Sequence, residues 1–180
     1  SRFGRGGNSR LPKWRKCGLR SLRERINGPS MHWFADTSFL CALYRDQDNS
    51  AVADGVVTAM EVEIVVSSLV LWEFRQSARF QVFRHHNDRT KGFSKGEADR
   101  MLGALTANLG VGALILESVD WPDVHSLAEQ LSAKYTMTGG HRPLDILHLA
   151  TARHLKLEKF LTFNGNQKKL AEAEGFAVPW

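Results

Sequence analysis

The feature that most narrows the fold is an alternation of short apolar runs with stretches of helical length and spacing. Segments 32–35, 63–66, 112–116 and 160–163 read as buried strands, and 176–178 reads as a closing strand. Between them, 39–45, 50–60, 69–86, 94–108, 122–135, 144–155 and 167–174 read as helices. A two-residue turn returns a chain antiparallel, whereas a parallel return needs a crossover of a dozen or more residues. Connections of helical length therefore predict parallel strands, and the expected fold is α/β, a three-layer α/β/α sandwich with a central, mostly parallel sheet.

The punctuation agrees with these elements. Asp36-Thr37-Ser38 and Ser67-Ser68 supply side-chain oxygens for the free amides of a first helical turn, and Ser94 with Glu97 makes a capping box. Pro143 sits where a helix has no use for the amide that proline lacks. Gly175 stops the last helix, while 87–93 and 138–140 are polar or glycine-rich loops.

Charge divides the 180 residues unevenly. The formal net charge is +5, yet residues 1–30 hold nine Lys or Arg against one acid, a net +8. The remaining 150 residues carry 15 basic against 18 acidic groups, a net −3, so the basic character belongs to the extension. Residues 1–30 read as a mostly disordered basic extension, expected to be dispensable for folding; an organelle-targeting leader or an RNA-binding arm is the weaker reading. Residues 31–180 read as one domain. Cys17 and Cys41 lie too far from any partner pair for a disulfide framework or a cysteine zinc site, so a reducing cytoplasm is the expected compartment. No window approaches the roughly 20 apolar residues of a membrane span.

Three acids sit where an open parallel sheet binds its ligands, outside the carboxyl ends of strands. Asp36 directly follows the first strand, Glu73 interrupts Val70-Leu71-Trp72 and Phe74 early in the long helix, and Asp145 opens a helix that is apolar nearly all round. Each has a plain alternative: a helix cap for Asp36, a dipole partner for Glu73, a paired buried acid for Asp145. Their convergence on one sheet edge favours a hard divalent cation, Mg²⁺ or Mn²⁺, which takes oxygen ligands and turns water into a nucleophile. Thr37, Ser38 and Thr162 are candidates for orienting those ligands.

Phe34-Ala35-Asp36-Thr37-Ser38, Leu71-Trp72-Glu73-Phe74, the run from Pro143 to Ala152 and Phe160-Leu161-Thr162-Phe163-Asn164 succeed one another in an order that resembles the PIN-domain family. The chain looks most like the VapC-type toxin ribonucleases of that family, over residues 31–180. The resemblance implies a metal-dependent endoribonuclease, the toxin of a type II toxin–antitoxin pair, with Asp36, Glu73 and Asp145 as acidic metal ligands and Asn164 as a fourth catalytic position. It implies an RNA substrate and a cognate antitoxin protein, and it allows a homodimer. Asn164 departs from the family pattern, which usually has an acid there; a PIN-like RNA- or protein-binding module with weakened catalysis is the alternative.

Segment 74–100 holds seven Lys or Arg against three acids, and its Arg75, Arg79, Arg84 and Lys91 are the candidates for contact with an RNA backbone. His148, three residues after Asp145, reads as a core histidine with one hydrogen bond. Trp33, Trp72, Trp121 and Trp180 read as core and edge packing because each adjoins apolar residues.

Overall fold

The computed structural model describes residues 32–59 and 63–180 of the chain. The expected extension over 1–30, together with Cys17 and the end of the helix expected at 50–60, lies outside the described residues.

Four strands form one sheet: β1 (His32–Ala35), β2 (Glu63–Ser67), β3 (Leu114–Glu117) and β4 (Lys159–Leu161). Their order is β3-β2-β1-β4, and every pairing is parallel. Seven helices are described: α1 (Thr37–Tyr44), α2 (Ser50–Ala59), α3 (Ser68–Asn87), α4 (Lys95–Gly110), α5 (Trp121–Gly139), α6 (Pro143–His154) and α7 (Gly165–Ala173). Trp33, Phe34 and Ala35 are buried in succession, as are Ile64 to Ser67. Successive strand residues point to opposite faces, so unbroken burial means that helices cover both faces. The result is the expected three-layer arrangement, with its core in Trp33, Phe34, Phe39, Tyr44, Phe74 and Phe160.

Local chemistry sets the helix starts. The side chains of Asp36, Ser67 and Ser94 accept from Phe39, Val70 and Glu97 amides, and the Ser94–Glu97 capping box is complete. Pro143 occupies the first turn of α6. Helix α5 runs through Thr138 and Gly139, beyond its expected end, because Gly140 supplies the left-handed cap at φ 62°. Gly92 has no room for a side chain: a Cβ there would stand 2.0 Å from the Gln81 carbonyl oxygen, so the loop after α3 folds back directly onto that helix.

The strand expected at 176–178 does not form. One bridge pairs Lys159 with Ala177, through Phe160 N to Ala177 O at 3.0 Å and Ala177 N to Glu158 O at 2.9 Å. Pro179 offers no amide to continue the ladder. Past it, Trp180 stacks on Phe163, ring centroids 4.8 Å apart, and on Phe39 at 5.8 Å.

Candidate functional site

The strand order reverses direction between β1 and β4, because the chain proceeds from β1 through β2 to β3 on one side and returns on the other. Such a reversal opens a crevice at the carboxyl ends of the two strands. Asp36 succeeds β1 there, and Thr162 to Asn164 succeed β4. The two are laced together by the backbone bond from Asp36 N to Leu161 O, 3.0 Å.

Asp36 is 2% exposed, and its carboxylate is held on both oxygens. Oδ1 accepts from Phe39 N at 2.9 Å and Ser38 Oγ at 2.7 Å; Oδ2 accepts from Thr162 Oγ1 at 2.6 Å. Ser38 Oγ in turn accepts from Phe163 N at 2.8 Å, and Thr162 Oγ1 accepts from Asn164 N at 3.0 Å. Each hydroxyl thus spends its one proton on Asp36 and takes a backbone amide in return. Burial pushes the Asp36 carboxyl above its ordinary value despite these bonds and the positive field of His148. The helix-cap role and the buried-acid role are therefore filled by the same side chain.

Glu73 reaches the site from the second turn of α3. Its Oε2 accepts from Thr37 Oγ1 and from His148 Nε2, the latter at 2.7 Å. Burial raises the Glu73 carboxyl, but the two donors and the charges of His148 and Arg142 outweigh it and hold the group below its ordinary value. Asp145, 8% exposed, lies one turn before His148 on α6. Its Oδ1 is 3.4 Å from Asn164 Nδ2, and its backbone oxygen is 3.4 Å from Nε2 of the buried Gln167. Asn164 Oδ1 caps α7, accepting from Asn166 N at 3.0 Å and Gln167 N at 3.4 Å. With its oxygen committed to those amides, Asn164 presents its NH₂ to Asp145.

The structure thus places the candidates at one end of the sheet in two hydrogen-bonded groups, Asp36 with Ser38, Thr162, Asn164 and Asp145, and Glu73 with Thr37 and His148. It does not close the acids on a common point. Among the described residues no group of three or more His, Cys, Asp or Glu side chains is arranged to hold a metal ion. The donor chemistry nevertheless suits a hard cation: the groups are carboxylates, Asp36 keeps one free lone pair on Oδ2, and Mg²⁺ is commonly held by one or two carboxylates with water completing its shell.

The basic candidates divide. Arg75 and Arg79 lie on α3 with no ion-pair partner among the described residues, Arg79 exposed and Arg75 half-buried. Arg84 Nη1 lies 3.5 Å from Gln81 Oε1, and Lys91 is paired with Asp88 at 2.9 Å. Trp72 overturns its expected packing role, being 54% exposed; Trp33 is buried, and Trp121 and Trp180 are half-buried. Sequence reasoning found His148 to be a buried histidine with one bond but missed that the bond goes to Glu73. It also missed Arg142 and Gln167, which carry no motif signal. The Trp180 indole, donating from Nε1 to Thr162 O at 2.8 Å, steadies the end of β4 that carries Thr162.

A family model for the PIN domain matches residues 34–173 of the chain. Among solved structures, the chain is similar to VapBC2 from Rickettsia felis bound to a DNA fragment from their promoter, with a TM-score of 0.55, 15% identity, and coverage of 82% of this chain and 97% of that one. It is similar to VapC20 from Mycobacterium tuberculosis, described as a sarcin-ricin loop cleaving toxin, with a TM-score of 0.53, 18% identity, and coverage of 80% and 95%. It is also similar to a toxin-antitoxin complex from Klebsiella pneumoniae, with a TM-score of 0.50, 16% identity, and coverage of 82% and 98%. At these identities the likeness establishes the fold. No curated protein matches the chain.

Proposed function

The chain belongs to the PIN-domain family, and on that premise we propose that it is a metal-dependent endoribonuclease that hydrolyses RNA phosphodiester bonds. The observation that carries the reading is Asp36, a carboxylate buried at the reversal of the sheet, fixed by Ser38, Thr162 and the Phe39 amide, and linked through Thr162 and Asn164 to Asp145. A merely structural cap does not need two hydroxyls spent on it, nor a second buried acid beside it.

Asp36 and Asp145, with Glu73, are the residues that would hold Mg²⁺ or Mn²⁺. Such an ion supplies positive charge against the scissile phosphate and lowers the pKa of an attacking water. Ser38 and Thr162 keep the Asp36 carboxylate from rotating, so its lone pairs stay aimed. Thr37 and His148 hold Glu73 ionised and in place. Arg75 and Arg79 neutralise phosphates of the strand on its way to the acids, with Arg84 and Lys91 adding to the field.

We further propose that the protein is the toxin of a type II toxin–antitoxin pair acting in the cytoplasm, with a cognate antitoxin as its protein partner and a homodimer as a compatible state. The toxin and the toxin-antitoxin complex among the similar structures support this. A second reading, a PIN-like RNA- or protein-binding module with weakened catalysis, is favoured by one observation: Asn164 gives Asp145 an NH₂ donor where the family usually has an acid. Incubation of the purified protein with RNA in Mn²⁺, in Mg²⁺ and in EDTA, beside Asp36→Asn, separates the two. Metal-dependent cleavage lost in the variant supports the nuclease; RNA binding without cleavage in any metal supports the module.

A further inference from the structure

Helix α3 buries Val70, Leu71, Phe74 and Ala78. The turn of about 100° per residue carries Trp72, Gln76, Arg79, Phe80 and Phe83 to the opposite side, at spacings of three and four that make one stripe. Trp72, Phe80 and Phe83 are 54%, 53% and 60% exposed. Three large aromatic rings in water on one helix face are not needed by the core. The Phe80 and Phe83 rings stack on each other at 6.0 Å and 25°.

We propose that this stripe is a stacking track for single-stranded RNA: Trp72 and the stacked Phe80–Phe83 pair take bases on their exposed faces while Arg75 and Arg79 hold phosphates. The choice of ligand rests on the ribonuclease reading. Aromatic rings combined with cations are what a strand of any sequence requires, because every base has a π-face and every linkage a charge. Glu73 is the one acid on α3, and it is turned to Thr37 and His148, so nothing anionic on this helix opposes the strand. A second copy of the chain would bring the cations of one stripe against those of the other, and the extension over 1–30, at net +8, is repelled likewise. The track begins at Trp72, one residue before Glu73 in the same helix. From Trp72 to Phe83 it spans about 16 Å at ~1.5 Å per residue, room for several nucleotides.

Fluorescence anisotropy with a short labelled oligouridylate, in EDTA and over a range of salt, tests the track on the full chain. Trp72→Ala and Phe83→Ala should each weaken binding about tenfold, which corresponds to ~1.4 kcal/mol, with the salt slope unchanged. Arg79→Ala should weaken binding and reduce the slope by about 0.7, the value for one phosphate on a single strand. All three side chains are exposed, and matching melting curves will confirm that the variants are folded. Unchanged affinity in both aromatic variants overturns the proposal. So does a parent that self-associates in sedimentation while Phe83→Ala is monomeric with RNA affinity intact, which would make the stripe a protein interface. Because binding in EDTA needs no cleavage, the failures are distinct: aromatic-dependent binding by a protein that never cleaves RNA retires the nuclease reading alone, and intact cleavage with aromatic-independent binding retires the track alone.

Discussion

His148 Nε2 lies 2.7 Å from Glu73 Oε2 and joins α6 to α3 at the mouth of the sheet crevice. A carboxylate can only accept, so Nε2 carries the proton, and Nδ1 is left buried without a partner. One bond therefore fixes the orientation of a buried histidine ring and the position of a candidate metal ligand.

Removing that donor leaves Glu73 with Thr37 alone and opens a cavity beside it. His148→Ala should lower stability by about 2–3 kcal/mol in urea titrations and reduce RNA cleavage at least tenfold. His148→Gln, which keeps an N–H near the Nε2 position, should recover more than half of the activity. Equal losses in both variants would mean that packing, and not the bond to Glu73, is what His148 supplies.

Asp36→Asn removes a charge that burial disfavours while leaving an oxygen for the Phe39 amide and hydroxyls that can rotate to suit the new NH₂. Cleavage should fall at least 100-fold with the thermal midpoint unchanged or raised, since a carboxyl whose folded pKa lies above its unfolded one costs stability once pH rises past the unfolded value. Calorimetry beside the cleavage assay reads both effects. A midpoint several degrees lower would show that the ionised carboxylate holds the fold together.

Glu174, just after α7, ties that helix to α5 and α6: its carboxylate lies 2.8 Å from Lys134 Nζ, 2.6 Å from Tyr135 Oη and 2.6 Å from Arg153 Nη1. Burial raises its carboxyl, but the Lys134 and Tyr135 donors and the charges of Lys134 and Arg153 win and hold it below the ordinary 4.5. A depressed folded pKa stabilises above the unfolded value and loses that contribution as pH falls through the folded one. Glu174→Gln should therefore cost about 1–2 kcal/mol at neutral pH, a modest value because Lys134 and Arg153 are solvated, and the gap to the parent should close as pH falls below the ordinary 4.5 and through the lower folded value. A gap independent of pH would assign the effect to shape instead of charge.

The layering, the four parallel strands and the helix caps were legible because each rests on a local rule: an oxygen-bearing side chain before an apolar helical run, and burial on both faces of a parallel strand. The nearness of Asp36, Asn164 and Asp145 follows from strand ends that share one edge in this topology. Trp72 was misread because its apolar neighbours in sequence are not its neighbours on the helix; Leu71 and Phe74 define the inward face, and Trp72 is turned out of it. The closing strand was misread because 176–178 has strand composition, while its pairing is decided by the next two residues, Pro179 without an amide and Trp180 drawn to Phe163. The link from His148 to Glu73 spans 75 positions, and no local pattern encodes it.

Asn164→Asp tests how the network meets a cation. The new carboxylate can still cap α7 through Asn166 and Gln167 amides, where a negative charge at a helix start gains about 0.3–1 kcal/mol. It also loses the donor that now faces Asp145 at 3.4 Å and replaces it with a like charge, a repulsion of about 1–4 kcal/mol at the effective dielectric of a partly solvated site. Repulsion wins, so the metal-free variant should melt below the parent. A divalent ion reverses the balance, because the added charge attracts it: Mn²⁺ should bind Asn164→Asp more tightly and raise its midpoint more than the parent's, by the amount that mass action sets. Cleavage should rise where the missing charge limits it. Isothermal titration and melting with and without Mn²⁺ give the comparison, and identical affinity with identical metal-induced shifts would place Asn164 away from the ion, leaving it only the cap of α7.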